Sequence, residues 1–357
     1  MKQHEQHPDM IQPSSEQARE VGEMLRELQE RFVEGLREVG AQLGGGEWER
    51  YDWLRDGGKH GGGRRWGTLG TPAFNGGSVN FSSVHYDDMP NRRLRSANAL
   101  STIIHPDHPR LPSMHMHISW TERRRAKDYW RVMADLNPSH PAPNQVQRFE
   151  NILQQEAGDL YEEGRREGER YFFIPALDRH RGASHFYLEG YRSDDDEGDF
   201  QFARRFGQAV IDGYLSLLST ESQGLVEPSV EERKTQLDYH TLYFFQVLTL
   251  DRGTTSGLLV HDQNDKGILA SLPMRVNKEL LNSWRVKMEP PQDALLQALV
   301  EALPEGKEVE VDGAVRKRLA QVVREHYQDH PEALGMQASA SKTPPTVANH
   351  GDGKKGH

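Results

Sequence analysis

The stretch SMHMHISWTE at residues 113–122 alternates without a break. Met114, Met116, Ile118 and Trp120 fall on one side, and His115, His117 and Ser119 on the other. A period of two is what a half-buried β-strand imposes, so one face is expected in a core and the other in a polar setting. Outward from it, SVNFSSVHY at 78–86 puts Val79, Phe81, Ser83 and His85 on one face, and ALSTIIHP at 99–106 reads as a strand ending at Pro106. The short, proline-marked connections predict antiparallel neighbours. Further strands are expected at 171–177 (YFFIPAL), 184–191, 240–250 (HTLYFFQVLTL), 255–262 and 267–273. Helical spacing predicts a helix from Ser15 through Leu36, one long charged helix from Asn144 to about Arg170, another at 199–219, and two within 293–331. Strand groups separated by helices, with no internal repeat, predict an α+β fold: a large antiparallel sheet flanked by helices on both faces, rather than a βαβ parallel sheet.

At 357 residues and 40.7 kDa the chain can hold one large domain or two ordinary ones. We expect a disordered start over 1–14, a single catalytic unit over 15–335 and a disordered tail over 336–357. Mean hydropathy is -0.80, and no run approaches the roughly 18 apolar residues of a membrane helix. The start, MKQHEQHPDM, lacks a basic-then-apolar signal pattern. Cysteine is absent, which excludes disulfides, thiolate nucleophiles and cysteine metal sites and makes a reducing cytoplasm the simplest home. A net charge of -10 disfavours nucleic acid, because phosphate contacts need a basic face. An anionic ligand would need locally gathered cations. The arginines at 92, 93 and 95, at 123–125, and at 179 and 181 are either such groups or solvated faces. The glycine-rich 56–77 stretch contains no phosphate-loop or dinucleotide fingerprint and reads as a flexible loop or lid.

The densest polar cluster spans consecutive strands: Ser101 and His105, then His115 and His117, then Asp135 in ADLNP. H-x-H on a strand aims both imidazoles at one face, which suits a metal, an anion, acid/base work, or simply hydrogen bonds inside the sheet. With Glu122 the spacing is similar to the cupin pattern H-x-H-x4-E, without its flanking glycines. DRGTTSGL at 251–258 reads as a turn closing a strand, with Gly253 at positive φ and Arg252 free to point outward or to bind a carboxylate. Arg179-His180-Arg181 is a surface patch or half of an anion clamp.

Taken in order, FNGGSVNFSSVHYD, SANALSTIIHPDHPRLPSMH, ADLNP, YFFIPALDRHRGASHFYLE and DRGTTSGLLVHDQNDKGILASLP resemble five blocks of the oxygen-dependent coproporphyrinogen III oxidase family. The resemblance implies a large flat antiparallel sheet between helices, a homodimer, and an anionic tetrapyrrole as ligand. It implies oxidative decarboxylation of two propionates of coproporphyrinogen III to vinyl groups, with O2 as acceptor and CO2 and hydrogen peroxide leaving. No organic cofactor is implied; a divalent metal is left open, with His105 and His115 as its ligands. It implies His115 as proton donor, Asp135 as acceptor of the pyrrole N–H groups, and Ser101, His117, Arg181 and Arg252 as substrate contacts. The sequence departs from the family where H-x-N-x-R is His115-Met116-His117-Ile118-Ser119, so that Ser119 replaces an arginine, and where Arg131-Val132-Met133 replaces three glycines. Phe245 and Val247 stand for a Glu and an Asn, and the substrate loop is changed at about His261–Asn264. Arg131 or Arg123–Arg125 are the candidates to replace the lost guanidinium. A divergent member that acts on, or only binds, another tetrapyrrole is the second expectation, and a metal-dependent cupin-like oxygenase the third.

Overall fold

Helix α1 (Glu16–Gln42) starts where Ser15 accepts the Ala18 N–H. It leads into six strands: β1 (Glu49–Leu54), β2 (Gly61–Leu69), β3 (Phe74–His85), β4 (Leu94–Pro106), β5 (Ser113–Arg123) and β6 (Tyr129–Asn137). Helices α2 (Pro143–Ala157) and α3 (Tyr161–Phe172) and the short strands β7 (Phe173–Ile174) and β8 (Arg179–His180) precede β9 (Ser184–Tyr191). The rest is α4 (Asp196–Glu221), α5 (Val230–Thr249), α6 (Arg252–Val260), α7 (Asp265–Ile268), β10 (Arg275–Asn277), α8 (Lys278–Ser283), α9 (Gln292–Ala302), β11 (Glu308–Glu310) and α10 (Gly313–Asp329). The computed structural model describes residues 7–260, 264–341 and 347.

The expected sheet is present: seven strands in the order β1-β2-β3-β4-β5-β6-β9, each neighbour antiparallel. Its register divides the faces as the alternation of β5 demands. Met114, Met116, Ile118 and Trp120 join Val79, Phe81, Leu100, Val132 and Phe186 in a core with α1 and α4. Each such side chain contributes about 1.5–3 kcal/mol by leaving water. On the opposite face α5, α6, α9 and α10 form a second core that reaches Ile103 of β4. Helices therefore lie on both faces.

Three expected strands are helical instead. Residues 240–250 are the second half of α5, 255–262 falls largely in α6, and 267–273 is α7 with a 3-10 turn, while residues 261–263 lie outside the described residues. In α5 the run from Tyr239 to Thr249 is buried all round, so it has no amphipathic period to mark it as helix. The start was marked, however, by a capping box between Ser229 and Glu232. DRG opens α6 rather than closing a strand: the Asp251 carboxylate accepts the Thr254 N–H at 2.7 Å, and Gly253 is not among the positive-φ residues. The glycine-rich stretch is not a lid, because Gly61–Leu69 is a strand paired on both sides, with β1 and with β3. The single helix expected from Asn144 breaks at Gly158, where φ is 51°. Of 171–177 only Phe173–Ile174 is extended.

The ends are tied closer to the boundaries than expected. Ile11 N–H donates to Gly58, and its carbonyl accepts from His85. Past Met336, Gln337 is buried and donates to the hydroxyls of Thr255 and Tyr327, and Ser341 N–H donates to Glu167. The outermost residues at both ends lie outside the described residues.

Helix α3 approaches β9 through glycine. A Cβ at Gly168 would lie 2.7 Å from His185 Cβ and 3.0 Å from its carbonyl carbon. Gly168→Val regains under about 0.5 kcal/mol of helix propensity against about 1–3 kcal/mol of overpacking. Urea denaturation should show that net loss, and an unchanged midpoint would mean α3 is not seated as described.

Candidate active site

Residues paired across the sheet share a face, so the polar side of β5 defines a series of rungs. One runs Ser78–Ile103–His115–Asp135–His185, the next Arg65–Asn80–Ser101–His117–Met133–Tyr187, and the next Gly63–Ser82–Ala99–Ser119–Arg131. Helices α5 and α6 cover them. Between lies a cavity of about 270 Å³, roughly twenty times what one water needs, walled by Ser101, His115, His117, Arg131, Arg181 and the rings of Tyr129, Tyr171, Tyr187 and Tyr243.

Asp135 is fully buried and holds three partners. His115 Nδ1–H donates to Oδ1 at 2.8 Å, and Asn137 and Arg181 donate to Oδ2 at 2.6 and 2.8 Å. Burial pushes the Asp135 pKa up, but Arg181, His115 and Asn137 outweigh it and hold the carboxyl below its ordinary range. Arg181 is itself buried, its guanidinium 4.6 Å from the Phe172 ring centre and 4.9 Å from that of Tyr243. Burial would lower its pKa, but Asp135 raises it on balance. With Nδ1 committed to Asp135, the Nε2 of His115 is the ring nitrogen left for the cavity. Across the site, Arg131 donates to Glu189, which also accepts the Tyr187 hydroxyl, while Tyr171 donates to Asp251 at 2.8 Å.

Seven residues carry the sequence expectations, and four of them wall the cavity: Ser101, His115, His117 and Arg181. Asp135 lies behind His115 and is not part of the wall. Arg252 is half-buried at the start of α6, where Asp251, Gly253 and Thr254 form the wall instead. His117 Nε2 meets Ser119 Oγ at 3.0 Å; burial, then Arg131 and His115, push its pKa well down. His105 has both ring nitrogens engaged, Nε2–H donating to the Ser271 carbonyl and Nδ1 accepting from Ser113. It therefore does not reach toward His115 as a co-ligand. The cupin-like set fails on parity: Glu122 projects to the other face, where it accepts from Ser15 and Ser96. Among the described residues no three His, Asp or Glu side chains are grouped to hold a metal. Arg131 pairs in register with Ser119, so a guanidinium stands one strand over from the position the resemblance assigns to arginine.

Tyr187 and Glu189 were missed. Their signal was the alternation of SHFYLEGY, in which Phe186 and Leu188 face the core and the residues between must face the site. Tyr171, Tyr243 and Asp251 carried no such signal, since they come from helix ends and a misassigned helix.

A broad antiparallel sheet with helices on both faces, carrying an aromatic-walled cavity beside a buried carboxylate–imidazole pair, defines an α+β protein with a candidate active site on one face of its sheet. Residues 20–308 match the family described as coproporphyrinogen III oxidase, and the chain belongs to that family. It is similar to the oxygen-dependent coproporphyrinogen-III oxidase of Rickettsia akari (strain Hartford), 28% identical over 270 residues, 71% of this chain and 94% of that one. The protein of the same name from Dictyostelium discoideum is 27% identical over 237 residues, covering 61% and 68%. That from Prochlorococcus marinus (strain AS9601) is 27% identical over 291 residues, covering 70% and 82%.

Two stability measurements probe the site. Arg181→Met leaves Asp135 buried without its cation and should cost about 3–5 kcal/mol; adding Asp135→Asn should recover part of it in urea denaturation, and strict additivity would show the pair is not coupled. His105 and His240 are buried neutral, both lowered chiefly by burial, His240 to about 3. The unfolded imidazoles bind protons below about pH 6.5 while these do not, so their contribution is complete above that pH and is lost as pH falls. Each steepens the acid decline by up to about 1.4 kcal/mol per pH unit. His240→Phe should flatten it, and an unaltered slope between pH 7.5 and 5.5 would contradict the assignment.

Proposed function

We propose that the chain is an oxygen-dependent coproporphyrinogen III oxidase, converting two propionate side chains of the macrocycle to vinyl groups with O2 as oxidant and no organic cofactor. The observation that carries this is the family match over residues 20–308 together with an imidazole, His115, oriented on a buried carboxylate and facing a cavity of tyrosines. The macrocycle lies against the aromatic rings, and Ser101 and His117 contact it from one rung.

For each propionate, the hydrogen on the carbon next to the ring leaves with its electron pair to O2. The bond to the carboxyl carbon breaks, its pair forms the vinyl double bond, and CO2 departs. One proton completes hydrogen peroxide. His115 Nε2 is the group placed to carry that proton, and the Asp135 carboxylate on Nδ1 stabilises the imidazolium while it does so. Asp135 thus serves as a positioning residue through His115; its oxygens are occupied, which argues against a direct contact with the pyrrole nitrogens. Arg181 holds Asp135 ionised. Arg252 remains a candidate substrate contact, adjoining the wall at Asp251 and Gly253. A divalent metal has no step in this reading. Residues 15–335 act as one catalytic unit, since the sheet and α5–α6 wall the same cavity, and the homodimer and cytoplasmic location implied by the resemblance belong to the same reading. No helix among the described residues is long and apolar enough to cross a membrane.

A second reading, binding of a tetrapyrrole without oxidising it, is favoured by one observation: both cavity guanidiniums, Arg131 and Arg181, are already paired with carboxylates. The purified chain incubated with coproporphyrinogen III in air should consume O2 and yield a product lighter by two vinyl-forming decarboxylations, with none formed anaerobically. Tight binding without O2 uptake would reject the oxidase. His115→Gln should lower kcat by about 10²–10⁴-fold with KM little changed, and full activity would remove His115 from its assigned role.

A further inference from the structure

The charge inside the cavity leaves a question that the β2 edge answers. A ligand with four carboxylates needs cations that are not already neutralised, and Arg131 and Arg181 are. Arg65 is different. It stands on β2 in the rung of Asn80, Ser101 and His117, so its side chain leaves the sheet on the site face. It is 7% exposed, its guanidinium lies 4.6 Å from the Tyr51 ring centre, and its Nε has no hydrogen-bond partner. Arg316 of α10 comes over the same edge. Its Nη2 donates to the Leu272 carbonyl at 2.9 Å, that carbonyl lies against Gly76 of β3, and its buried Nε is also without a partner.

No carboxylate among the described residues forms an ion pair with either guanidinium. The acidic groups with most influence are exposed and engaged elsewhere: Glu49 with the Tyr51 hydroxyl, and Asp312 with the Val315 N–H. Burial lowers both arginines, Arg316 to about 10, and the two repel each other. Between them the floor of the site face has almost no side chain. A Cβ at Gly67 would meet only Arg65 Nε and the Gly77 carbonyl, each at 3.7 Å, and Gly76 has nothing closer than 3.6 Å. Ser78, register partner of Gly67, is already a cavity wall.

We propose that Arg65 and Arg316 form a carboxylate-binding subsite beside the cavity, beyond its wall residues Ser78 and Asn80 and floored by Gly67, Gly76 and Ser78, that takes one propionate arm of the tetrapyrrole. The identity of the arm's owner rests on the function proposed above; the affinity for a carboxylate does not. Buried, unpaired guanidinium nitrogens are costly in the empty protein, and a carboxylate satisfies them with charge-assisted hydrogen bonds.

The test separates the two claims. Sodium propionate is titrated against sodium chloride at matched ionic strength while the melting temperature of wild type, Arg65→Gln and Arg316→Gln is followed. Wild type should show a saturable rise with propionate beyond that with chloride, and either variant should lose it. KM for coproporphyrinogen III should rise about 10–100-fold, the loss of one charge-assisted hydrogen bond, with kcat within about threefold. Without propionate each variant should melt at or above wild type, because a repulsion has been removed. Variants that melt lower while keeping KM and the propionate response would make these arginines structural and overturn the subsite. If Arg65→Gln does not fold, Arg316→Gln decides alone. A wild type that ignores coproporphyrinogen III yet shows the arginine-dependent propionate response would reject the proposed function and uphold the subsite.

Discussion

An ionised carboxylate with no exposure to water survives only if its surroundings replace the lost hydration. Asp135 meets that condition through three donors from three places: His115 on the neighbouring strand, Asn137 two residues on, and Arg181 beyond two helices and a hairpin. Satisfying it fixes more than itself. Arg181 must be drawn under the sheet, so its own flat faces need cover, and Phe172 at the end of α3 and Tyr243 in α5 supply it. His185 stacks on Phe172 and accepts no freedom either, bonded to Glu169 and to the Arg181 carbonyl. The orientation of His115, the path of β8 and the docking of α5 over the cavity are thus one solution to one electrostatic problem.

The sheet side of this arrangement was legible because strands announce faces locally. The alternation of 113–122 put His115, His117 and Ser119 together before any contact was known, and the core residues opposite them are where the pattern requires. The same rule, carried to the end of the strand, excludes Glu122 from the histidine face, since an odd step of five residues from His117 reverses direction. The helical roof was not legible in that way. A helix buried on every side loses the period that identifies it, and the aromatic run Tyr243–Phe245 looks equally well like a strand. Only the capping signature at Ser229 and Glu232, ten and more residues upstream, distinguishes the two. The glycines of β2 misled for the opposite reason: they suggest flexibility, yet in a paired strand they remove side chains where backbone or ligand must come close.

Long-range pairing was beyond reach. Asp135 and Arg181 are separated by 46 positions, and nothing local in either segment marks them as partners. The resemblance assigned each a separate duty toward the ligand, one to ring nitrogens and one to a propionate. Geometry joins them to each other; Arg181 still reaches the cavity wall, but its charge is answered by Asp135, and His115 is the member of the group that offers the cavity a ring nitrogen.

That joining has a consequence for how a polyanion would lie. The rung of Ser119 and Arg131 is electrically closed by Glu189, and the rung of His115 is closed by Asp135 and Arg181. Closed rungs attract a neutral, polarisable ring better than a carboxylate, and the tyrosines beside them present such a surface. The uncompensated charge lies three strands from β5, at Arg65 and Arg316, over a floor cleared by glycine. A ring with acidic arms is therefore oriented by the protein without any net positive cavity: its plane is sought by the aromatic middle of the sheet and an arm by the β2 edge. On the proposed reading this division would let a chain of net charge -10 hold a tetra-acid, because the attraction acts at short range in a buried corner, where screening is weakest, and does not depend on the field of the whole molecule.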